Sequence, residues 1–290
     1  MTLKVAAKTF ASVGLALTCA ISTALSVPAQ ENKPPKPSLQ AFFDALVSNP
    51  SSPPPFQQLH QLTLEIANAP SEEIKSGLPS VLTALGLQTE STKAYACAAL
   101  FAIARRPDGA SLLERHVPAI GRDLLSTKEP NIRAGEITIL GSLKPPPREV
   151  VPILTDFLRN QGSDAPTQGA AAIFQLIQLA PENPKVVAAI QEFFSRPMDK
   201  SARIAALNAL GNPRIKDSQL FLTVISFLDG SDQDVRATAI QAVTRMSREA
   251  LELAEPTLLR LAKDPTQPEQ ITNDAKHAIV VLDSMRKAKS

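Results

Sequence analysis

The sequence predicts an all-α protein, an α-solenoid in which antiparallel helix pairs stack one on the next. Apolar residues recur with the 3.6-residue period of an amphipathic helix, most clearly over residues 232–247. The chain has 290 residues with only 11 Gly and no Trp, while Ala and Leu are abundant, as in helical proteins. One helical pattern also returns at intervals of about 33 to 40 residues, a spacing typical of stacked helical repeats.

Residues 1–29 are interpreted as a secretory signal peptide. Lys4 and Lys8 precede an uncharged stretch that ends at Val27, and small residues stand before the expected cleavage point. Two alternatives are a lipoprotein signal at Cys19 and a retained anchor, since the stretch is just long enough to cross a bilayer but only weakly apolar. The protein is therefore expected to be exported, to the periplasm or the extracellular space, with inner-membrane anchoring as the alternative.

The charge of the mature chain is balanced. Loss of Lys4 and Lys8 leaves 28 of the 30 basic residues, against 28 acidic residues. Such a neutral chain is not expected to bind nucleic acid, because phosphate-backbone binding needs a concentrated positive field. Cys97 is then the one remaining cysteine, so no intramolecular disulfide is possible, and its alignment with Ile and Leu predicts a buried thiol.

The mature chain begins with a polar, Pro-rich linker at residues 30–37, and the solenoid is predicted over residues 38–286. The first helices are expected at residues 38–48 and 56–69, separated by a segment with three successive prolines. Two kinds of helix then alternate. The first kind is predicted around residues 81–88, 117–125, 150–158, 185–194, 220–228 and 254–262.

The second kind of helix keeps its small and apolar residues in fixed columns. Aligned with Arg236 are Lys93, Arg133, Gly169, Arg203 and Ala275, with His60 as a weaker first copy. Three residues later stand Ala96, Glu136, Ala172, Ala206, Ala239 and Ala278; seven residues later stand Leu100, Leu140, Leu176, Leu210, Val243 and Leu282. Small residues let neighbouring helices approach closely. A single helical hairpin can bury its apolar face only against the next hairpin, so we expect seven stacked pairs that share one continuous core.

This pattern resembles the HEAT repeat family. The resemblance is carried by Val235-Arg236 with Ala239, Ala242 and Val243, by Ile132-Arg133 with Ile139 and Leu140, and by Arg203 with Ala206, Leu207, Ala209 and Leu210. It implies a right-handed superhelix of about seven repeats. It also implies first helices kinked by Pro79, Pro118, Pro152 and Pro256, and repeat arginines that pair with acids such as Asp229 and Asp264.

The family resemblance implies a concave surface, lined by the second helices, that binds an extended segment or a helix of another protein. Phe101, close to Tyr95, and Phe174 are either exposed anchors of that surface or covered by neighbouring repeats. Glu136 is either a surface ion pair with Arg133 or a charge recruited into the binding groove. The candidate protein-binding residues are Tyr95, Phe101, Glu136, Phe174, Asn208, Gln241 and Arg245.

The sequence contains no motif that predicts catalysis, a cofactor or a metal. His60, His116 and His277 lie in different repeats, and none is followed by a second ligand three or four residues later. No phosphate-binding loop, nucleophile elbow or H-E-x-x-H helix occurs. We therefore expect a binding scaffold and no enzyme, with membrane contact only if the N-terminal segment is retained. An enzyme or enzyme subunit like the HEAT-like bilin lyases, or a tethered envelope protein, is the alternative.

Overall fold

The computed structural model describes residues 39–48, 56–87, 89–160 and 165–288. The predicted signal peptide and the Pro-rich linker lie outside the described residues. Within the described ranges the regular structure is entirely helical, and no helix there is both long and apolar enough to span a membrane. The chain divides into two compact units, Met1–Val150 and Val151–Ser290. A single core through both units stays a prediction.

The first unit has two layers of helices. Helices α1, α3 and α6 pack in succession and form its A layer, and α2, α4 and α7 form its B layer. The helices are α1 Leu39–Ser48, α2 Phe56–Asn68, α3 Ser71–Leu85, α4 Glu90–Ala104, α5 Gly109–Leu113 with the 3-10 turn Glu114–His116, α6 Val117–Ser126 and α7 Pro130–Ser142.

The second unit repeats this arrangement. Helices α10, α12 and α14 form its A layer, and α9, α11, α13 and α15 form its B layer. The helices are α8 Val150–Asn160, which begins at the last residue of the first unit, α9 Pro166–Leu179, α10 Pro184–Ser195, α11 Lys200–Leu210, α12 Ser218–Ile225, α13 Gln233–Arg245, α14 Arg248–Lys263 and α15 Glu269–Lys287. Short connections between contacting helices make each pair an antiparallel hairpin, so the predicted α-solenoid class is confirmed.

The sequence columns coincide with the core between the two layers. In the six copies from Lys93 to Ala275, the residues three and seven positions after the repeat origin are all 0% exposed. In the weaker first copy at His60, Thr63 is half-buried and Ala67 is exposed. Full burial of the small residues places neighbouring B-layer helices in close contact. At Gly135 a Cβ atom would lie 3.3 Å from the Cβ of Cys97 on the adjacent helix.

Several helices of the second unit begin at side-chain caps. Asn183, Asp199, Asp217 and Asp232 each accept hydrogen bonds from backbone amides in the first turn that follows. Such a cap satisfies amides that have no intrahelical acceptor and contributes about 1 kcal/mol each. These aspartates therefore set the helix boundaries that apolar periodicity leaves open.

Two of the predicted proline kinks are wrong. Pro118 is the second residue of α6 and Pro152 the third of α8. Backbone amides in the first turn of a helix have no intrahelical acceptor, so a proline there breaks no helical hydrogen bond and does not bend the helix. Pro79 and Pro256 do lie inside α3 and α14.

The predicted pairing of repeat arginines with acids is replaced by an indirect link. Asp229 pairs with Arg260 instead of a repeat arginine. Arg236 Nη1 donates to Gln267 Oε1 at 2.8 Å, and Gln267 Nε2 donates to Asp264 Oδ2 at 2.7 Å. The Gln267 amide is the largest influence that lowers the pKa of Asp264, to about 2. A neutral amide therefore connects the cation to the acid.

Candidate functional site

The solvent-facing side of α9, α11, α13 and α15, here called the B face, carries four of the predicted residues. Phe174 on α9 is 39% exposed, Gln241 and Arg245 on α13 are exposed, and Asn208 on α11 is half-buried. At the far end of the row, Val280 on α15 is 60% exposed. The B face therefore presents one apolar side chain at each end and polar groups between them.

Hydrogen bonds between the polar groups tie neighbouring helices together on their solvent side. Arg245 Nη2 donates to Asn208 Oδ1 at 2.8 Å and links α13 to α11. Gln241 Nε2 donates to Asp274 Oδ2 at 3.4 Å and links α13 to α15. Side chains restrained in this way lose less conformational entropy when a partner binds.

Arg245 packs tightly against α11. A Cβ atom at Gly211 would lie 2.7 Å from Arg245 Nε and 2.8 Å from Nη2, so the glycine provides the space in which the guanidinium lies. Burial on this side lowers the pKa of the Arg245 guanidinium from its ordinary value. Among the described residues, no carboxylate lies within ion-pair distance of Arg245.

A second arginine, which sequence reasoning missed, lies at the same end of α11. Arg214 follows this helix, and its Nη1 donates to the backbone oxygen of Gln178 at 2.5 Å and to Oε1 of that residue at 3.2 Å. Its own amide donates to Asn212 Oδ1 at 3.0 Å. Arg214 lies outside the helical columns, in a loop, so the repeat pattern gave no signal for it.

Two predicted aromatic anchors of the first unit are largely covered. Tyr95 is 8% exposed, and its ring centroid lies 6.5 Å from that of Phe42 on α1. Phe101 is half-buried, with the Arg105 guanidinium 5.7 Å from its ring centroid. Tyr95 as an exposed anchor is therefore wrong, because the ring packs against the first A-layer helix and belongs to the core.

Both surface interpretations of Glu136 are wrong. Glu136 is 0% exposed, and its carboxyl group lies beside the Asp123 carboxylate, to which the protonated form can donate a hydrogen bond. Burial and then the nearby Asp123 carboxylate raise its pKa to about 10, although Lys93 and Arg133 oppose the shift. The side chain is therefore protonated and neutral at pH 7. Its burial follows from its position in the repeat, since the other repeats hold a buried alanine there.

Glu136 lies beside a nearly buried ion pair. Lys93 Nζ of α4 is 3.2 Å from Asp123 Oδ1 of α6, and the two side chains are 11% and 16% exposed. Asp123 also lines a cavity of about 340 Å³ together with Leu82, Leu85 and Arg122. Lys93 occupies the repeat-arginine column, so the cation was predictable, whereas its partner and the cavity depend on how α6 packs.

The cluster in the first unit has no geometry for catalysis. Lys93 neutralises Asp123, Glu136 is inaccessible, and burial raises the pKa of the Cys97 thiol well above its ordinary value, which keeps it protonated. In the described part of the chain no group of three or more His, Cys, Asp or Glu side chains could hold a metal ion. The expectation that the protein is not an enzyme stays a prediction.

No protein-family model matches the chain, and no curated protein matches it either. An archaeal HEAT-like repeats protein from Thermococcus onnurineus NA1 is 17% identical over 87% of this chain and 99% of that chain, with a TM-score of 0.48. An engineered protein is 16% identical over 84% of this chain and 68% of its own, with a TM-score of 0.46. A designed armadillo repeat protein in complex with the peptide (KR)4 is 16% identical over 85% and 100%, with a TM-score of 0.41. The fold assignment rests on the packing of this chain's own helices.

Proposed function

We propose that this protein is an exported HEAT-like scaffold that binds a segment of another protein on the B face of its second unit. The observation that carries the proposal is the row of hydrogen-bonded side chains across three neighbouring B-layer helices, α11, α13 and α15, with exposed Phe174 beside it on α9. Arg245 is held by Asn208, and Gln241 by Asp274. Exposed apolar and polar groups held on rigid elements are typical of protein-binding surfaces.

The row favours an extended segment or a helix laid across the B-layer helices. Neighbouring packed helices are separated by about 8–10 Å, so four of them present contacts along roughly 30 Å. An extended chain of about nine residues covers that length. The proposed mechanism is binding by shape and complementary contacts, with no catalytic step.

Export is part of the proposal and rests on residues 1–29. The protein would act in the periplasm or outside the cell, and retention of the segment as an inner-membrane anchor is the alternative. Mass spectrometry of the protein purified from its native envelope distinguishes the two. A mature chain that begins at Gln30 supports export with cleavage of the signal peptide. A chain that retains residues 1–29 contradicts cleavage and supports the membrane-anchored alternative.

The competing surface is the outer side of the A layer in the second unit. Leu222 on α12 is 50% exposed, and Leu253 and Leu259 on α14 are 51% and 37% exposed. Single exposed leucines are common on protein surfaces. The A layer also has cross-helix bonds, from Gln191 Nε2 to Gln219 Oε1 at 3.5 Å and from Arg260 to Asp229. There the Arg260 cation is paired with a carboxylate, whereas Arg245 on the B face has none among the described residues, which is why we assign binding to the B face.

Peptide display on the purified protein, followed by fluorescence anisotropy with the best peptide, tests this assignment. The Phe174→Ala/Val280→Ala variant should lose at least about ten-fold in affinity, since truncating an anchor residue typically costs more than 1 kcal/mol. The matched Leu222→Ala/Leu253→Ala variant removes similar exposed side chains from the A layer and should bind like the wild type. Loss of binding only in the A-layer variant, or failure to select any peptide, would overturn the proposal.

A further inference from the structure

Arg214 and Arg245 differ from most arginines of the second unit. Arg203 lies over the Phe227 ring, and Arg236 bonds Gln267. Five others, all within ion-pair distance of a carboxylate, are Arg159, Arg196, Arg248, Arg260 and Arg286. Arg203 and Arg236 also lack a carboxylate partner among the described residues, but both are half-buried. Arg214 and Arg245 are exposed and bond only neutral oxygens among the described residues, so their charges are uncompensated there and accessible.

Both guanidinium groups are fixed in position and keep free donors. Arg245 uses Nη2 toward Asn208, and Arg214 uses Nη1 toward Gln178. A guanidinium has five N–H donors in a planar fork that matches a carboxylate with two parallel hydrogen bonds. Each arginine therefore has donors left for an anion, and its anchoring bond lowers the entropy lost when that anion binds.

The two guanidinium groups lie at the C-terminal ends of neighbouring B-layer helices, that of Arg214 at α9 and that of Arg245 at α11. Arg214 continues from this helix and reaches back to the end of α9, while Arg245 ends α13 and reaches α11. Their spacing is therefore set by the separation of neighbouring helices, about 8–10 Å. Alternate side chains of an extended peptide lie on one face about 7 Å apart, and the flexible arginine side chains span the difference.

We propose that Arg214 and Arg245 bind two carboxylates carried by alternate residues of an extended acidic segment of the partner protein. This inference rests on the proposed function and specifies the chemistry of the partner. Charge complementarity carries it: two positioned cations at one edge of the B face lack acids of their own. The partner's Asp or Glu side chains supply those acids and fix the register of the segment.

Parallel peptide-display selections test the inference. On the wild-type protein, selected peptides should be enriched in Asp or Glu at two alternate positions. The Arg214→Gln/Arg245→Gln variant should select peptides without this acidic pair. Lys263→Gln, which removes an exposed cation from the end of α14 in the A layer, is the matched control and should select the same acidic pair as the wild type.

Anisotropy with the best acidic peptide gives the quantitative result. Replacing its two acids by Gln should weaken binding to the wild type at least ten-fold and leave binding to the double variant unchanged. Selected peptides that need Phe174 and Val280 but carry no acids would overturn this inference and leave the scaffold function standing. Equal competition by a single-stranded oligonucleotide, or equal loss in Lys263→Gln, would also overturn it, because either indicates general polyanion attraction.

Discussion

The first unit places its unusual charges inside the protein, whereas the second places them on the surface. Lys93, Asp123 and Glu136 lie between α4, α6 and α7, and Glu136 fills a column in which the second unit has only alanine. In the second unit the Glu136 column is apolar, and the cations Arg214 and Arg245 lie along the B face. The first unit thus buries its unusual polar side chains between helices, whereas the second unit exposes its unpaired cations to solvent.

A second contrast concerns the arginines at the ends of B-layer helices. Arg106 Nη1 donates to the backbone oxygens of Ile66 at 2.5 Å, in the last turn of α2, and of Ala69 at 2.9 Å, just past its end. Arg106 Nε lies 2.9 Å from Asp108 Oδ1. Arg214 makes a similar bond to the end of α9 but has no carboxylate among the described residues. An arginine that closes a helix end is therefore neutralised in one unit and available in the other.

The largest expected effect is the loss of the buried cation. Lys93→Met leaves Asp123 almost buried without its partner and should lower the free energy of unfolding by about 3 kcal/mol. Arg245→Met removes an exposed charge and should cost less than about 1 kcal/mol. Urea unfolding measures both. Tyr95, the single tyrosine of a chain without tryptophan, reports on the first unit by fluorescence, while circular dichroism follows both units. Equal losses of unfolding free energy in the two variants would contradict the contrast between the buried Lys93 and the exposed Arg245.

The two helix-closing arginines should differ in the same direction. Arg106→Ala removes hydrogen bonds to more than one backbone oxygen together with the contact to Asp108, and should destabilise the first unit by about 2 kcal/mol. Arg214→Ala removes bonds to one residue at the surface and should cost about 0.5 kcal/mol. Thermal and urea unfolding provide the comparison, and a larger loss for Arg214→Ala would contradict it.

Glu136 should make the stability of the first unit depend on pH. The unfolded chain releases this proton near the ordinary pKa of 4.5, whereas the folded unit holds it up to about 10. The unfolded state therefore binds fewer protons between these values, and the free energy of unfolding falls as pH rises, by up to about 1.4 kcal/mol per pH unit. Glu136→Gln should flatten the Tyr95 unfolding profile between pH 6 and pH 9. Parallel profiles for the variant and the wild type would show that Glu136 is already ionised in the folded protein.

The smallest effect on stability is expected at Gly211. Its φ of −68° suits alanine, so Gly211→Ala should change the free energy of unfolding by less than about 1 kcal/mol. The new Cβ would nevertheless displace Arg245 from Asn208 and weaken binding of the selected acidic peptide. Gly86→Ala, where a Cβ would lie 3.5 Å from the backbone oxygen of Thr83, an ordinary contact distance, is the matched control. Unchanged binding in Gly211→Ala would show that the position of Arg245 does not matter.

Periodicity was enough to predict the helix pairs and their core, because the residues three and seven positions after the repeat origin are fully buried in the six copies from Lys93 onward. It predicted that Glu136 was unusual but not that it was buried, since side-chain depth depends on how closely α4 and α7 approach. The indirect link from Arg236 through Gln267 was missed because a loop residue supplies it. Arg214 was missed for the same reason. Contacts between repeats depend on loop conformations that leave no period in the sequence.

The succession of neighbour-to-neighbour contacts in the B layer also bears on how the second unit forms and opens. Helices α9, α11, α13 and α15 each pack on the next B-layer helix in order, so much of the buried surface joins segments close in sequence. Low contact order of this kind permits rapid folding that can start at any hairpin and spread outward. Helix α15 has a B-layer neighbour on only one side among the described residues, so its amides should exchange with solvent sooner than those of α11, which lies between two neighbours.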